Sequence, residues 1–228
     1  MHVWIASVDA PTLHLDSLAA MLSPDERQRA ASFHFEKHQR RYIAAHAALR
    51  EILSLYLGKS AADVVFTWNG FGKPFLYDAE GKDELSFNLS HSGELALAAF
   101  VRARSIGADV EFMRPIRDFE RIAADHFTPQ ECALLEQTPI ASREHMFYTF
   151  WTRKEAYIKA IGKGLSIPLT SVDTSMPEGV AGRRIERAPD APQVASWWLS
   201  DLVVPSGYAG ALVVEEGFDR VCYRHWPG

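Results

Sequence analysis

Cysteine is nearly absent from this chain, with only Cys132 and Cys222 in 228 residues. Two scattered thiols cannot build a disulfide framework or a cysteine-rich zinc site, so the sequence predicts a protein of a reducing compartment. Positive charge is not in excess either. The formal net charge is −5, which argues against general nucleic-acid binding and against adsorption on anionic membranes. No basic start followed by an apolar stretch opens the chain, and no run nears the roughly 20 apolar residues of a membrane span. The expectation is a cytoplasmic protein.

What is present is an ordinary globular composition, 47% apolar and 23% charged. That length suits one domain or two intimate halves. Val3 to Val8 reads as a first strand. Ser23-Pro24-Asp25-Glu26 offers an N-cap, a first-turn proline and a capping-box acid, so a short helix starts there. From Lys37 to Leu57 apolar residues recur at three- and four-residue steps before Gly58, predicting a long amphipathic helix. Val64 to Trp68, Leu85 to Leu89 and Leu95 to Val101 are β-rich and suggest one small sheet, with turn chemistry at Asn69-Gly70 and Ser92-Gly93.

After Arg104 the same grammar returns. A strand through Ile106 to Glu111 is followed by a second capped start at Thr128-Pro129-Gln130-Glu131 and a long helix from about Arg143 to Ile161. Ser196 to Val203, Tyr208 to Glu215 and Val221 to His225 read as strands, and Pro177 to Pro192 as an irregular excursion. The order hints at two α+β halves, 1–104 and 105–228, although a shared order alone is weak evidence for duplication.

Three stretches carry chemistry. In Ile106-Gly107-Ala108-Asp109-Val110-Glu111, strand alternation puts Asp109 and Glu111 on one face. Paired carboxylates repel unless a cation neutralises them, and hard oxygen ligands select magnesium or manganese. Taken alone, an acidic, solvent-facing strand end is the better explanation of the two. On the second long helix, Trp151, Lys154, Glu155 and Lys159 fall within an arc of roughly 140°. That is either a reactive face or a ladder of surface ion pairs beside a core tryptophan. The third stretch, Ser86 to Gly93, ends in two hydroxyls, His91 and a glycine, a turn able to meet a phosphate or merely a polar hairpin.

Together, in this order, the three resemble the 4′-phosphopantetheinyl transferases. That family carries a segment like Phe87-Asn88-Leu89-Ser90-His91-Ser92, then a GxDxE segment matching Gly107 to Glu111, then WxxKEAxxKxxGxGL matching Trp151 to Leu165. Gly72-Lys73-Pro74 resembles its GKP element, and Arg41 and Arg50 its basic positions. The likeness covers roughly residues 20 to 170 and fits the larger, monomeric Sfp-like branch. It implies two α+β halves related by a pseudo-twofold axis, with the active site and coenzyme A cleft between them.

By that resemblance, phosphopantetheine passes from coenzyme A to a serine of an apo acyl or peptidyl carrier protein, and adenosine 3′,5′-bisphosphate leaves. Asp109, Glu111 and Glu155 would hold Mg²⁺, or Mn²⁺, against the diphosphate. Glu155, or a water it orients, would serve as base, Lys159 would bond the leaving phosphate, and Lys154 would neutralise a second phosphate oxygen. His91 with Arg41 would meet the 3′-phosphate, Ser90 and Lys73 lying nearby. Glu26 departs from the pattern, standing where relatives often have a lysine that Arg27 or Arg29 would replace. Residues 27 to 50 still hold six lysines and arginines against one acid, Glu36. Phe112 to Phe127, with Met113, Arg114, Arg117, Phe119 and Arg121, is the candidate carrier surface, or else a helix packing its own core. Two other readings stay open: a binding module of the same fold without catalysis, and a Mg²⁺-dependent hydrolase of coenzyme A or nucleotide diphosphates.

Overall fold

The computed structural model describes residues 1–9, 14–77, 84–177, 182–185, 196–217 and 220–226. The first half runs β1 (His2–Ser7), α1 (Leu15–Met21), α2 (Pro24–Ala31), α3 (Glu36–Leu57), a 3₁₀ turn at Ala61–Asp63, β2 (Phe66–Trp68), β3 (Pro74–Leu76), β4 (Leu85–Ser92) and β5 (Leu95–Arg102). The second runs β6 (Ile106–Phe112), α4 (Phe119–His126), α5 (Pro129–Gln137), α6 (Ile140–Ile161), 3₁₀ turns at Gly164–Ser166 and Leu169–Ser171, β7 (Arg183–Arg184), β8 (Trp197–Asp201), β9 (Tyr208–Glu215) and β10 (Cys222–Trp226). Much of the excursion expected at Pro177 to Pro192 lies outside the described residues.

The mixed α+β class expected from the sequence is what the chain adopts. One sheet has the order β10-β1-β5-β4 and the other β6-β9-β8-β7. β1 pairs antiparallel with β5 and β5 with β4, just as β6 pairs antiparallel with β9 and β9 with β8. Three differences from the sequence reading follow from long-range pairing. Phe66–Trp68 does not join the main sheet but forms a separate hairpin with β3. β4 continues past Leu89 to Ser92, opposite Leu95. And β10 returns from the second half to lie parallel to β1.

The repeat extends to buried charge. Ser23 and Thr128 each form a complete capping box, with Glu26 and Glu131 as the returning acids. Each acid meets a cation of the long helix behind it: Glu26 Oε2 accepts from Arg50 Nε at 2.6 Å, and Glu131 Oε2 lies 2.7 Å from Lys154 Nζ. Each cation then clamps a later 3₁₀ turn of its own half. Arg50 donates to the carbonyls of Ala61 and Val64, and Lys154 to those of Leu169 and Val172. Both helices are 22 residues long and stop at glycines, Gly58 and Gly162, whose φ values of 63° and 71° favour a residue without Cβ.

Alternation of the strands sets the layers. Val3 and Ile5 of β1 and Leu97 of β5 meet Ile106, Val110 and Leu212 of the other sheet, while Ala6 turns towards α3 and Leu49. The two sheets therefore pack face to face, with α3 outside one and α6 outside the other. At Gly107, α6 sits directly on β6: an added Cβ would come within 2.1 Å of the Ala156 carbonyl oxygen and 2.2 Å of Ala160 N. Neither backbone atom can yield without moving the helix. Gly107→Ala is expected to cost about 2 kcal/mol and to lower activity by shifting α6, read from urea melts beside an activity assay.

Candidate active site

Where the halves meet, β6 takes β9 as its partner on one edge and a row of β4 side chains on the other. Asn88 Oδ1 accepts from Ala108 N at 2.8 Å, Ser90 Oγ from Val110 N at 3.3 Å, and Ser92 Oγ from Phe112 N at 3.1 Å. Every second N–H of β6 is thus satisfied by a side chain, as buried amides require. The two hydroxyls expected to face a phosphate from a turn instead lie along a strand and lace the halves together. The same hydroxyls reach the acids: Ser90 Oγ donates to Asp109 Oδ1 at 2.9 Å and Ser92 Oγ to Glu111 Oε2 at 2.6 Å.

Close packing at Gly107 brings α6 across these carboxylates. Lys159 Nζ donates to Asp109 Oδ1 at 2.6 Å and to Ser90 Oγ at 3.0 Å. Asp109 is 2% exposed, and its Oδ2 is buried without a hydrogen-bond partner among the described residues. Glu155 is half-buried on the same helix. Burial raises its pKa, the Asp109 charge raises it further, and Lys159 opposes both. For Glu111 burial also raises the pKa, the Ser92 hydrogen bond lowers it, and the charges of Asp109 and Glu155 add to the rise against Lys159. Three carboxylates thus share one ammonium.

Among the described residues, no three such side chains stand arranged to hold a metal ion. The donor set nevertheless suits a hard divalent cation. It offers only carboxylate oxygens, one of them buried and unpartnered, and mutual repulsion that a cation would relieve.

The other expected residues divide. Lys154 is not in the cleft: it is fully buried and spends its ammonium on Leu169 O, Val172 O and Glu131. It stands five residues from Lys159 on α6, and the roughly 140° between them points it into the core. Trp151 stacks on Phe147 in an aromatic cluster beside α6. Lys73 reaches across the seam, donating to Ile106 O and Ala160 O, both at 3.0 Å. Burial lowers its pKa to about 8 against the opposing charge of Glu215. Arg41 is taken up by Asp9, at 3.1 Å from Nε and 2.7 Å from Nη2, and by Glu94. Ser90 is in place beside Asp109, and His91 is exposed at the end of β4. Of the suggested carrier surface, Met113 and Phe119 pack inward with Ile116 and Ile122, while Arg114, Arg117 and Arg121 stay outside.

Glu26 explains its own departure from the family pattern. It is an 8% exposed hub that accepts from Ser23 N, from His46 Nδ1 at 3.0 Å and from Arg50. Burial would raise its pKa, but the hydrogen bonds of His46 and Ser23 and the charge of Arg50 outweigh that and hold it at about 2. Arg27 bonds Leu22 O and Arg29 lies over Phe33. A folded pKa below the ordinary 4.5 means that the contribution is complete above that value and is lost as pH falls towards 2. Stability should therefore drop by about 3 kcal/mol across that window, and Glu26→Gln should flatten the loss, as urea melts at stepped pH would show.

An acid cluster, backed by one lysine, lies at the seam of two like halves, an arrangement suited to phosphoryl-type chemistry. Family comparison agrees half by half: residues 105–213 match the 4′-phosphopantetheinyl transferase superfamily, and residues 10–102 match the 4′-phosphopantetheinyl transferase N-terminal family. The chain is 38% identical to 4′-phosphopantetheinyl transferase HetI of Nostoc, over 96% of this chain and 88% of that one. A putative 4′-phosphopantetheinyl transferase of Synechocystis is 32% identical over 87% of this chain and 78% of its own length. Sfp of Bacillus subtilis is 31% identical over 67% and 65%. The protein belongs to the 4′-phosphopantetheinyl transferase family.

Proposed function

We propose that this enzyme moves the 4′-phosphopantetheine group of coenzyme A onto a serine of an apo acyl or peptidyl carrier protein, with Mg²⁺ or Mn²⁺ held by Asp109, Glu111 and Glu155. The observation that carries the reading is the buried Asp109 Oδ2, unpartnered among the described residues, with Glu111 and Glu155 within electrostatic reach of Asp109. When bound, the cation would offset charge on the diphosphate as a Lewis acid.

The chain's own groups account for the rest. Glu155, its pKa raised by burial and by Asp109, takes the proton of the attacking serine hydroxyl. The serine oxygen forms a bond to the phosphorus bearing pantetheine as that phosphorus loses its bridging oxygen to adenosine 3′,5′-bisphosphate. Lys159 exchanges Asp109 for an oxygen of the leaving phosphate and stabilises its charge there. Ser90, bonded to both Asp109 and Lys159, keeps the pair in register. Lys73 ties the first half's hairpin to the end of α6. Residues 1–104 and 105–228 act as the two halves, with β10 returned to the first, and one chain supplies both walls of the cleft. We therefore take it to work as a monomer. Among the described residues no helix is long and apolar enough to cross a membrane, and the scarcity of cysteine supports a cytoplasmic setting.

Purified enzyme incubated with apo-carrier, coenzyme A and Mg²⁺ should raise the carrier's intact mass by one phosphopantetheine, and chelation should stop it. No mass shift across several carriers with folded enzyme would sink the proposal. Cleavage of coenzyme A without a carrier would favour the hydrolase instead.

A further inference from the structure

The C-terminus of α6 is finished by the other half of the chain. A helix leaves its last carbonyls without partners of its own. In α6 the Gly162 N–H takes the carbonyl of Ile158, Lys73 Nζ takes that of Ala160 at 3.0 Å, and Asn69 Nδ2 takes that of Gly162 itself at 2.6 Å. Both side chains come from the tip of the β2–β3 hairpin, 87 and 93 residues away along the chain. The tip lies flat on the helix end. A Cβ added at Gly162 would stand 2.8 Å from Lys73 Cδ and 3.3 Å from Asn69 Nδ2, so this glycine makes room for the hairpin as well as ending the helix.

The tip is built to hold that pose. Asn69 Oδ1 accepts from Phe71 N and from Lys73 N, both at 2.9 Å, while Asn69 N donates to Lys73 O and Gly72 N to Asn69 O, both at 3.1 Å. With its oxygen committed to two N–H groups of its own turn, the carboxamide has only its NH₂ to offer Gly162. Lys73 has a second acceptor, Ile106 O at the start of β6, also at 3.0 Å. One ammonium thus spans the helix that bears Glu155 and Lys159 and the strand that bears Asp109 and Glu111, and a cation suits the negative end of a helix. Resting on the function proposed above, we infer that Asn69 and Lys73 are positioning residues that latch the end of α6 to β6 and so set the reach of Lys159 onto Asp109. Lys159 precedes the clamped Ala160 by one residue, and Gly107, next to the clamped Ile106, is where the backbones of helix and strand already touch. The latch acts on the register of helix against strand, where a shift of about 1 Å costs on the order of a hundredfold in rate.

The test compares Asn69→Asp and Lys73→Met with the wild type. Aspartate keeps the oxygen that organises the turn but sets a second oxygen against Gly162 O, whereas methionine keeps the length of the lysine and loses its ammonium. In both variants kcat should fall about ten- to hundredfold with KM for coenzyme A little changed. Hydrogen exchange supplies a readout free of turnover: amides in the last turn of α6 should exchange faster, on the order of tenfold, while those of α3 keep their protection. A raised KM with kcat preserved in Lys73→Met would return that lysine to the coenzyme and overturn the assignment. Unchanged kinetics would overturn it too, as would faster exchange spread over the whole chain with a matching fall in the thermal midpoint. Asn69→Asp alone decides the matter if the methionine variant does not fold. If the wild type modifies no carrier while the variants free the end of α6 selectively, the transfer reading fails and the latch stands. No modification and no selective exchange would refute both.

Discussion

Asp109→Ala is expected to lower transfer by roughly a thousandfold or more while leaving the thermal midpoint where it is or slightly higher. Activity should fall because Asp109 is the acid on which the cleft converges: it holds Lys159 and Ser90 and keeps one oxygen unpartnered. Stability should hold because that oxygen contributes no hydrogen bond, and because Asp109 raises the pKa of both Glu111 and Glu155 by repulsion. Removing one of three like charges relaxes the other two, and Ser90 and Lys159 can still bond each other. Magnesium supplies a readout independent of turnover: a cation bound only by the folded state raises its melting temperature. Added Mg²⁺ should therefore raise the midpoint of the wild type and leave that of Asp109→Ala unmoved. Full activity in the variant, or an equal response to Mg²⁺, would refute the carboxylate assignment.

Features written into neighbouring residues were legible beforehand. Both capping boxes, the glycine stops of α3 and α6, and the alternation that turns Asp109 and Glu111 the same way depend on spacings of a few residues, and the structure contains each. What escaped the sequence lies between distant segments. The ladder from Asn88, Ser90 and Ser92 to β6 spans 20 residues, the Glu26 to Arg50 pair 24, and the contact of β1 with β10 nearly the whole chain. No local pattern encodes such partners. The arc holding Lys154, Glu155 and Lys159 fails for a related reason: α6 packs on a sheet on one side and on α5 and 3₁₀ turns on the other. Both edges of the arc are occupied, and only one of them is the cleft.

The two lysines of α6 can be told apart by stability. Lys154→Ala removes a fully buried ammonium from two carbonyls at 2.7 and 2.8 Å and from Glu131 at 2.7 Å. Among the described residues, Glu131 would remain fully buried with only the N–H groups of Thr128 and Thr174 and the Thr174 hydroxyl to hold its charge. Breaking one side of such a pair costs about 3–5 kcal/mol, roughly 10 °C or more in a chain of this size. The double variant Lys154→Met with Glu131→Gln should recover part of it, since no uncompensated charge is then left in the core. Lys159→Ala should behave oppositely, because its side chain is 29% exposed and its partner belongs to the acid cluster: activity falls and the melt barely moves. A Lys154→Ala protein that melts like the wild type but transfers poorly would return Lys154 to the substrate. The buried geometry, repeated around Arg50 in the other half, points instead to a cation that each half needs to close its long helix onto the following turn.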